Sequence, residues 1–392
     1  MEDVKLESEY ISEAIVALGL SFNPFQYREA SLDPYLPEYL VTEDLPAVVW
    51  EDGSVAVCAP VGSGKTALRI FSILTSWKKI GSPHPLPVSV VPDDISTLYA
   101  TTLQEQVDLL FRSIVKSLFI GLVYRPERFL NLNDLDQQQL AAWFQSHLPA
   151  TLSHYLRILE NRWLADDIAH ALDRSYRVQS VPSNDLLRLF HHELQQALEH
   201  STRRLSANLD VSGQFDVRTL ERLLNLIREQ LNFTAVYFLV DGVDAFYETI
   251  QHPDLSFPWL QSLENCITNL RSEDLYLKCF LPYEICAGQQ VSDLLASFRV
   301  QLQWTPERLI QLIRKRLLVA SDGKLGNLDV ICLPSISNLE EKILGLLPPV
   351  PREILIFCEC LLIEYARQGF ALIEDKHLEK ALNQYQMQTP FR

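Results

Sequence analysis

The chain has 392 residues, 47% of them apolar, and a formal net charge of −16, so it exceeds one ordinary domain and can bury a large core. No apolar run approaches the roughly 18 residues of a membrane span, and the acidic start MEDVKLESEY lacks the apolar stretch of a secretory signal. The surplus of acid, ten Asp/Glu against Lys5 and Arg28 in residues 1–50, reads first as charge that keeps the chain soluble, and it repels nucleic acid and acidic membranes unless a local basic patch overrides it. Seven scattered cysteines without a CxxC pair fit buried thiols in a reducing cytoplasm better than disulfides or zinc, with Cys358 and Cys360 inside an apolar helical pattern.

Residues 4–18 carry Ile11, Ile15 and Leu18 at helical spacing, and Pro24 in SFNPFQYREA breaks the pattern. SVAVCA reads as a short buried strand, followed by a glycine turn and a helix from Lys65 to about Trp77. PLPVSVVP, between Pro85 and Pro92, reads as a second strand. From about Ser96 to Ser212 the patterns are mostly helical. DVRTLERLLNLIREQL is an amphipathic helix and TAVYFLVDGVDAF a buried strand ending in acids. Then come the helix PWLQSLENCITNL, the strand LYLKCFLP, the short helix VSDLLASF and the strand RVQLQW. Four helical segments follow, starting near Pro306, Asn338, Pro351 and Glu374. Strands alternating with helices predict a parallel sheet covered on both faces, and the helical end predicts a second, smaller unit.

The stretch APVGSGKT fits the nucleotide P-loop pattern except at Ala59, where glycine is usual. Gly62 and Gly64 permit positive φ and remove side chains from the turn. The amides of Pro60–Ala67 (Val61, Gly62, Ser63 and Gly64 among them, Pro60 itself lacking an N–H) and the following helix N-terminus can then converge on a phosphate. Lys65 would reach the β- and γ-phosphates of ATP, and the Thr66 hydroxyl would bind Mg2+.

Such a loop needs a metal-positioning acid on a neighbouring strand. Asp241 stands at the C-terminal end of AVYFLV, where ligands bind in open parallel sheets, and could hold the Mg2+. Asp244 could activate the attacking water, although an aspartate after a strand also serves as a turn or helix cap. Gly242 lets the chain turn away after the strand.

These residues resemble the AAA+ and STAND (NACHT-like) groups of P-loop ATPases. LVDGVD is similar to the acidic motif of STAND proteins, and Gly242 departs from the Asp-Glu norm of the AAA+ branch. The resemblance implies that Asn23, Pro24 and Phe25 lie beside the adenine, as in initiator-like AAA+ proteins, a plain proline turn being the other reading. It also implies that the four C-terminal helices form a lid whose third helix opens with Arg352, which contacts the γ-phosphate and so takes part in catalysis with Lys65 and Asp244. A surface arginine paired with a carboxylate such as Glu353 is the other reading of Arg352. The fold expected is an α/β, parallel-sheet P-loop NTPase domain with a helical insertion and an all-α C-terminal lid. Its parts are an acidic N-terminal helix (1–20), the first part of the ATPase domain (21–125), the insertion (126–212), the second part (213–304) and the four-helix lid (305–392). The position after the fourth strand, normally polar or basic in the family, holds Pro282, Tyr283 and Glu284, which implies slow hydrolysis or help from another subunit. Arg271 and Arg299 are candidates for that help, or ordinary surface arginines.

His191-His192-Glu193 lacks the second histidine of a metalloprotease motif, since Gln196 stands there. Arg314-Lys315-Arg316 and Arg203-Arg204 read as solvated helix faces. Trp143, Phe144 and Trp163 read as core. The expectation is a cytoplasmic ATPase switch that binds ATP/ADP and Mg2+, with no membrane association. Its nucleotide state would control self-assembly into a homo-oligomer or binding of a separate effector protein. A nucleic-acid remodeller and a non-hydrolysing scaffold remain as alternatives.

Overall fold

The computed structural model describes residues 2–41, 49–78, 84–162, 185–205, 216–287, 298–336 and 338–388. The chain divides into two compact units. One comprises Met1–Glu43, Pro60–Ala67 and Leu302–Arg392, the other Asp44–Ala59 and Leu68–Gln301.

The second unit is built on a five-stranded sheet among the described residues: β1 (Val55–Ala59), β2 (Leu86–Val90), β3 (Val236–Val240), β4 (Leu275–Pro282) and β5 (Arg299–Gln301). All pairings are parallel, in the order β2-β3-β4-β1-β5. Every residue of β1, β2 and β3 is buried, as expected of strands covered on both faces. The register sets Ala59 beside Pro282 and Val240 beside Cys279, so β1 and β3 end on the same edge of the sheet. They are not neighbours, however: β4 lies between them, which corrects the expectation that the glycine turn and the acidic strand end leave adjacent strands. The strand RVQLQW is shorter than expected, and 288–297, with most of VSDLLASF, lie outside the described residues.

The connections are helical, as parallel pairing demands. They include α1 (Lys65–Lys78), α2 (Leu103–Tyr124), α3 (Asp134–His147), α4 (Asp185–Leu205), α5 (Phe257–Asn269) and α6 (Tyr283–Ala287). Thr102 caps α2 through a full capping box with Glu105. Phe111 and Phe119 on α2 meet Trp143 and Phe144 on α3 edge to face, at 5.6 and 5.0 Å between ring centroids, so those two aromatics are core as expected. Trp163 lies outside the described residues. His192 and Glu193 are exposed on α4, and a His192 ring nitrogen is 2.9 Å from the Gln196 amide nitrogen.

At the N-terminal edge of the sheet, Lys278 is 1% exposed, and its ammonium donates to the Glu51 and Gly53 carbonyls at 2.6 Å each. It also sits 4.5 Å from the centre of the Tyr237 ring. Burial pushes its pKa down to about 8 from 10.5, against the pull of Asp52 and Glu51. The folded value lies below the unfolded one. The unfolded chain therefore binds the extra proton between these values, and stability contributed here rises with pH across that window. Urea unfolding of wild type and Lys278→Met at a series of pH values should show the wild type gaining relative to the variant from pH 8 to 10.5. Parallel pH profiles would mean that the ammonium is not desolvated.

The cysteine reading needs correction. Cys58, in β1, and Cys286, in α6, form a disulfide that closes 228 residues of chain. The other five cysteines are free and buried, and burial raises the thiols of Cys279, Cys358 and Cys360 well above the ordinary range. A separation of 228 positions leaves no local spacing signal for the pair. Alkylation under denaturing conditions should label five thiols without reductant and seven after reduction. Seven in both would show that Cys58 and Cys286 are not joined.

The first unit is helical. The N-terminal helix Glu2–Ala17 joins α7 (Pro306–Ala320), α8 (Leu339–Leu346), α9 (Pro351–Arg367) and α10 (Asp375–Gln388) around one core that includes Phe25, Leu309, Ile313, Ile354 and Phe357. The four C-terminal helices begin where the sequence places them. Proline fills the first position of α7 and α9, where no amide hydrogen is needed. Arg316 is not on a solvated face. It is 5% exposed, donates to Asp33 at 2.9 Å and to the Pro24 carbonyl at 2.8 Å, and covers the Tyr39 ring. Tyr39 donates to the same Asp33 carboxylate. Lys315 reaches the Leu40 carbonyl at 3.2 Å, and only Arg314 of the three is close to half exposed.

Candidate functional site

The glycine turn belongs to the helical unit. β1 hands the chain to it at Ala59. Gly62 and Gly64 adopt φ of +84° and +87°, in the left-handed region that favours glycine. Ser63 N–H donates to the Pro60 carbonyl at 3.3 Å, closing the turn, and the Lys65 ammonium folds back onto the same carbonyl at 3.3 Å. Lys65 is 5% exposed, so its charge is gathered into the loop. Thr66, Val61 and Ala67 are half-buried and Pro60 is exposed.

Two further carbonyls of the turn are engaged from the C-terminal part of the chain. Arg352 N–H donates to the Gly62 carbonyl at 3.3 Å, and the Trp304 indole N–H donates to the Ser63 carbonyl at 2.8 Å. A side chain on Gly62 would begin 3.0 Å from the Arg352 Cβ and 3.2 Å from a Val350 methyl. The start of α9 is thus fitted to a bare backbone. In a trans peptide the N–H points opposite to the C=O. Holding the Ser63 carbonyl thereby turns the Gly64 N–H away from Trp304, as an amide of an anion-binding nest requires, whereas the Ser63 N–H is spent on the Pro60 carbonyl.

Asn23, Pro24 and Phe25 are buried in the helical unit. The Asn23 amide donates to Glu359 at 2.8 Å, and its oxygen accepts from Phe25 N–H at 3.0 Å. Arg28 pairs with the second Glu359 oxygen. Phe25 is fully buried in the helical core. These contacts account for the segment as structure, and the adenine assignment rests on the resemblance alone. Glu353, beside Arg352, is buried and accepts from Tyr385 at 2.7 Å; Arg352 itself is half-buried.

In the sheet unit, Asp241 follows β3 and is 2% exposed. Its Oδ2 accepts from Arg69 Nε at 3.0 Å, and Arg69 Nη1 donates to Ser89 Oγ on β2 at 2.6 Å. Arg69 is itself 2% exposed. The other oxygen, Asp241 Oδ1, is buried without a hydrogen-bond partner. An acceptor in that state is costly, and a hard cation or its water shell would satisfy it, so the residues fit a divalent ion. Among the described residues no group of three or more His, Cys, Asp or Glu could hold a metal by itself. One carboxylate suits Mg2+, which is usually held by one or two carboxylates together with substrate phosphates. Gly242 turns the chain with φ of +79°, its missing side chain leaving room for a Val91 methyl. Asp244 is half-buried.

Pro282 ends β4, while Tyr283 and Glu284 are exposed on α6. Arg299 donates to the Cys286 carbonyl at 2.5 Å, and the Arg271 backbone N–H donates to Glu221 at 3.1 Å. Arg69, Ser89 and Trp304 belong to no sequence motif. Only the four-residue step from Lys65 to Arg69, one turn of the same helix, could have drawn attention to Arg69.

Comparison with family models, with curated proteins and with solved structures returned no match.

Proposed function

We propose that the protein is an ATP-binding and ATP-hydrolysing switch of the AAA+/STAND-like kind, whose nucleotide state controls self-assembly or the binding of a separate effector. The observation that carries this reading is the loop Pro60–Thr66. Its carbonyls at Pro60, Gly62 and Ser63 are each taken by a donor, its two glycines have positive φ, and Lys65 is folded over it. In this reading Lys65 and the loop amides would hold the phosphates, and Thr66 and Asp241 are the residues that would hold Mg2+, which would supply neutralising charge to the phosphates. Asp244 activates water and Arg352 senses the γ-phosphate. The orphaned Oδ1 of Asp241 supports the metal role.

A second reading, a scaffold that binds nucleotide without hydrolysing it, is favoured by one observation: the Asp241 charge is already balanced by Arg69. Particle mass measured with ADP and with a slowly hydrolysed ATP analogue, and phosphate release measured with ATP, separate the two. The switch gives larger particles or effector capture with the analogue only, and Asp244→Asn stops release of phosphate while keeping the assembled form. Equal mass in both nucleotides, with no phosphate released by the wild type, leaves the scaffold.

A further inference from the structure

Trp304 stands immediately before Thr305, whose side chain caps α7 by accepting from Arg308 N–H. Its ring packs on the core to which Leu309 belongs, the usual partner position for a residue preceding a cap. The body of the indole is therefore fixed by a capped helix start, and its single polar atom, a donor only, is spent on the Ser63 carbonyl at 2.8 Å. Holding that carbonyl fixes the plane of the Ser63–Gly64 peptide and so the direction of the Gly64 N–H. At φ of +87° Gly64 has little resistance of its own to a peptide flip. A Cβ there would be 3.9 Å from the ring, so the ring lies against the turn without clamping it sterically.

We propose that Trp304 is a positioning residue for the phosphate-binding turn: through the Ser63 carbonyl it keeps the Gly64 amide facing the nucleotide phosphates and links the turn's conformation to the start of the first C-terminal helix. The ligand is a nucleoside di- or triphosphate, and to that extent the inference rests on the function proposed above. Nothing in the sequence motif calls for a tryptophan here.

The test is Trp304→Phe, which keeps the aromatic packing and removes the donor. Without nucleotide, amide exchange in a peptide covering residues 62–66 should quicken, while the melting temperature stays close to that of the wild type. Affinity for ATP should fall by up to about tenfold, the reach of one neutral hydrogen bond. If Trp304→Phe does not fold, benzothienylalanine at this position replaces the N–H with sulfur at nearly constant shape and is read in the same way. Unchanged exchange in a folded variant overturns the proposal, whatever the nucleotide affinity. Quickened exchange with unchanged affinity also overturns it, because the turn would then bind phosphate without the latch. If the wild type binds no nucleotide at all, the function proposed above fails, while the exchange comparison still decides whether Trp304 holds the turn.

Discussion

Replacing Arg69 with methionine should lower the unfolding free energy by about 3–5 kcal/mol, the range expected when one partner of a buried ion pair is removed. The cause is local. Arg69 and Asp241 are each 2% exposed, so water cannot take over the lost pairing. One Asp241 oxygen already lacks a hydrogen-bond partner, and the variant would leave both in that state, together with the Ser89 hydroxyl that Arg69 now engages. Pairing the change with Asp241→Leu removes the stranded charge and should recover most of the loss, because a buried ion pair replaced by apolar groups is often nearly neutral. The double-mutant cycle isolates the coupling between the two residues. Urea unfolding followed by circular dichroism provides the measurement. An Arg69→Met variant as stable as the wild type would show that the pair is open to solvent.

Gly62→Val should abolish nucleotide binding. At φ of +84° a β-branched residue is a strong outlier, costing about 1–3 kcal/mol in backbone strain. Its Cβ would also begin 3.0 Å from Arg352 Cβ and 3.2 Å from a Val350 methyl. Neither neighbour can yield easily, since Val350 and Arg352 start α9 and Arg352 N–H is bonded to Gly62 itself. The turn must therefore move, and its amides with it. Gly53→Ala is the control. Gly53 also has positive φ, +116°, but open space around it, so it should lose some stability and leave nucleotide binding intact. Equal binding by Gly62→Val and wild type would mean that the turn does not contact the ligand.

The parts of this architecture that announce themselves in the sequence are those decided locally. Pro306 and Pro351 mark helix starts because the first helical position needs no amide hydrogen. Val55–Ala59 and Val236–Val240 read as buried strands because both faces are apolar. The glycines at 62 and 64 foretell positive φ because few other residues tolerate it. What stayed hidden depends on distant partners. β4 lies between β1 and β3, and parallel pairing across such separations leaves no mark on either strand. Cys58 finds Cys286, 228 residues away. Arg316, within a run of three cations, is buried because Asp33, Tyr39 and the Pro24 carbonyl, all far off in the chain, surround it. Among the candidate residues, Lys65, Gly62 and Asp241 stand in motifs, whereas Trp304 meets Ser63 through one hydrogen bond that no spacing encodes, and Arg69, which holds Asp241 and Ser89, is marked only by its four-residue step from Lys65.

Everything proposed for this chain depends on the turn around Lys65 binding the phosphates of ATP. Titrating ATP into the wild type and into Lys65→Ala by calorimetry, each with Mg2+ and with EDTA, tests it most directly. The wild type should bind, and more tightly with Mg2+, while a folded Lys65→Ala should give no measurable heat. Absence of heat from the wild type, or equal binding by both proteins, would contradict it.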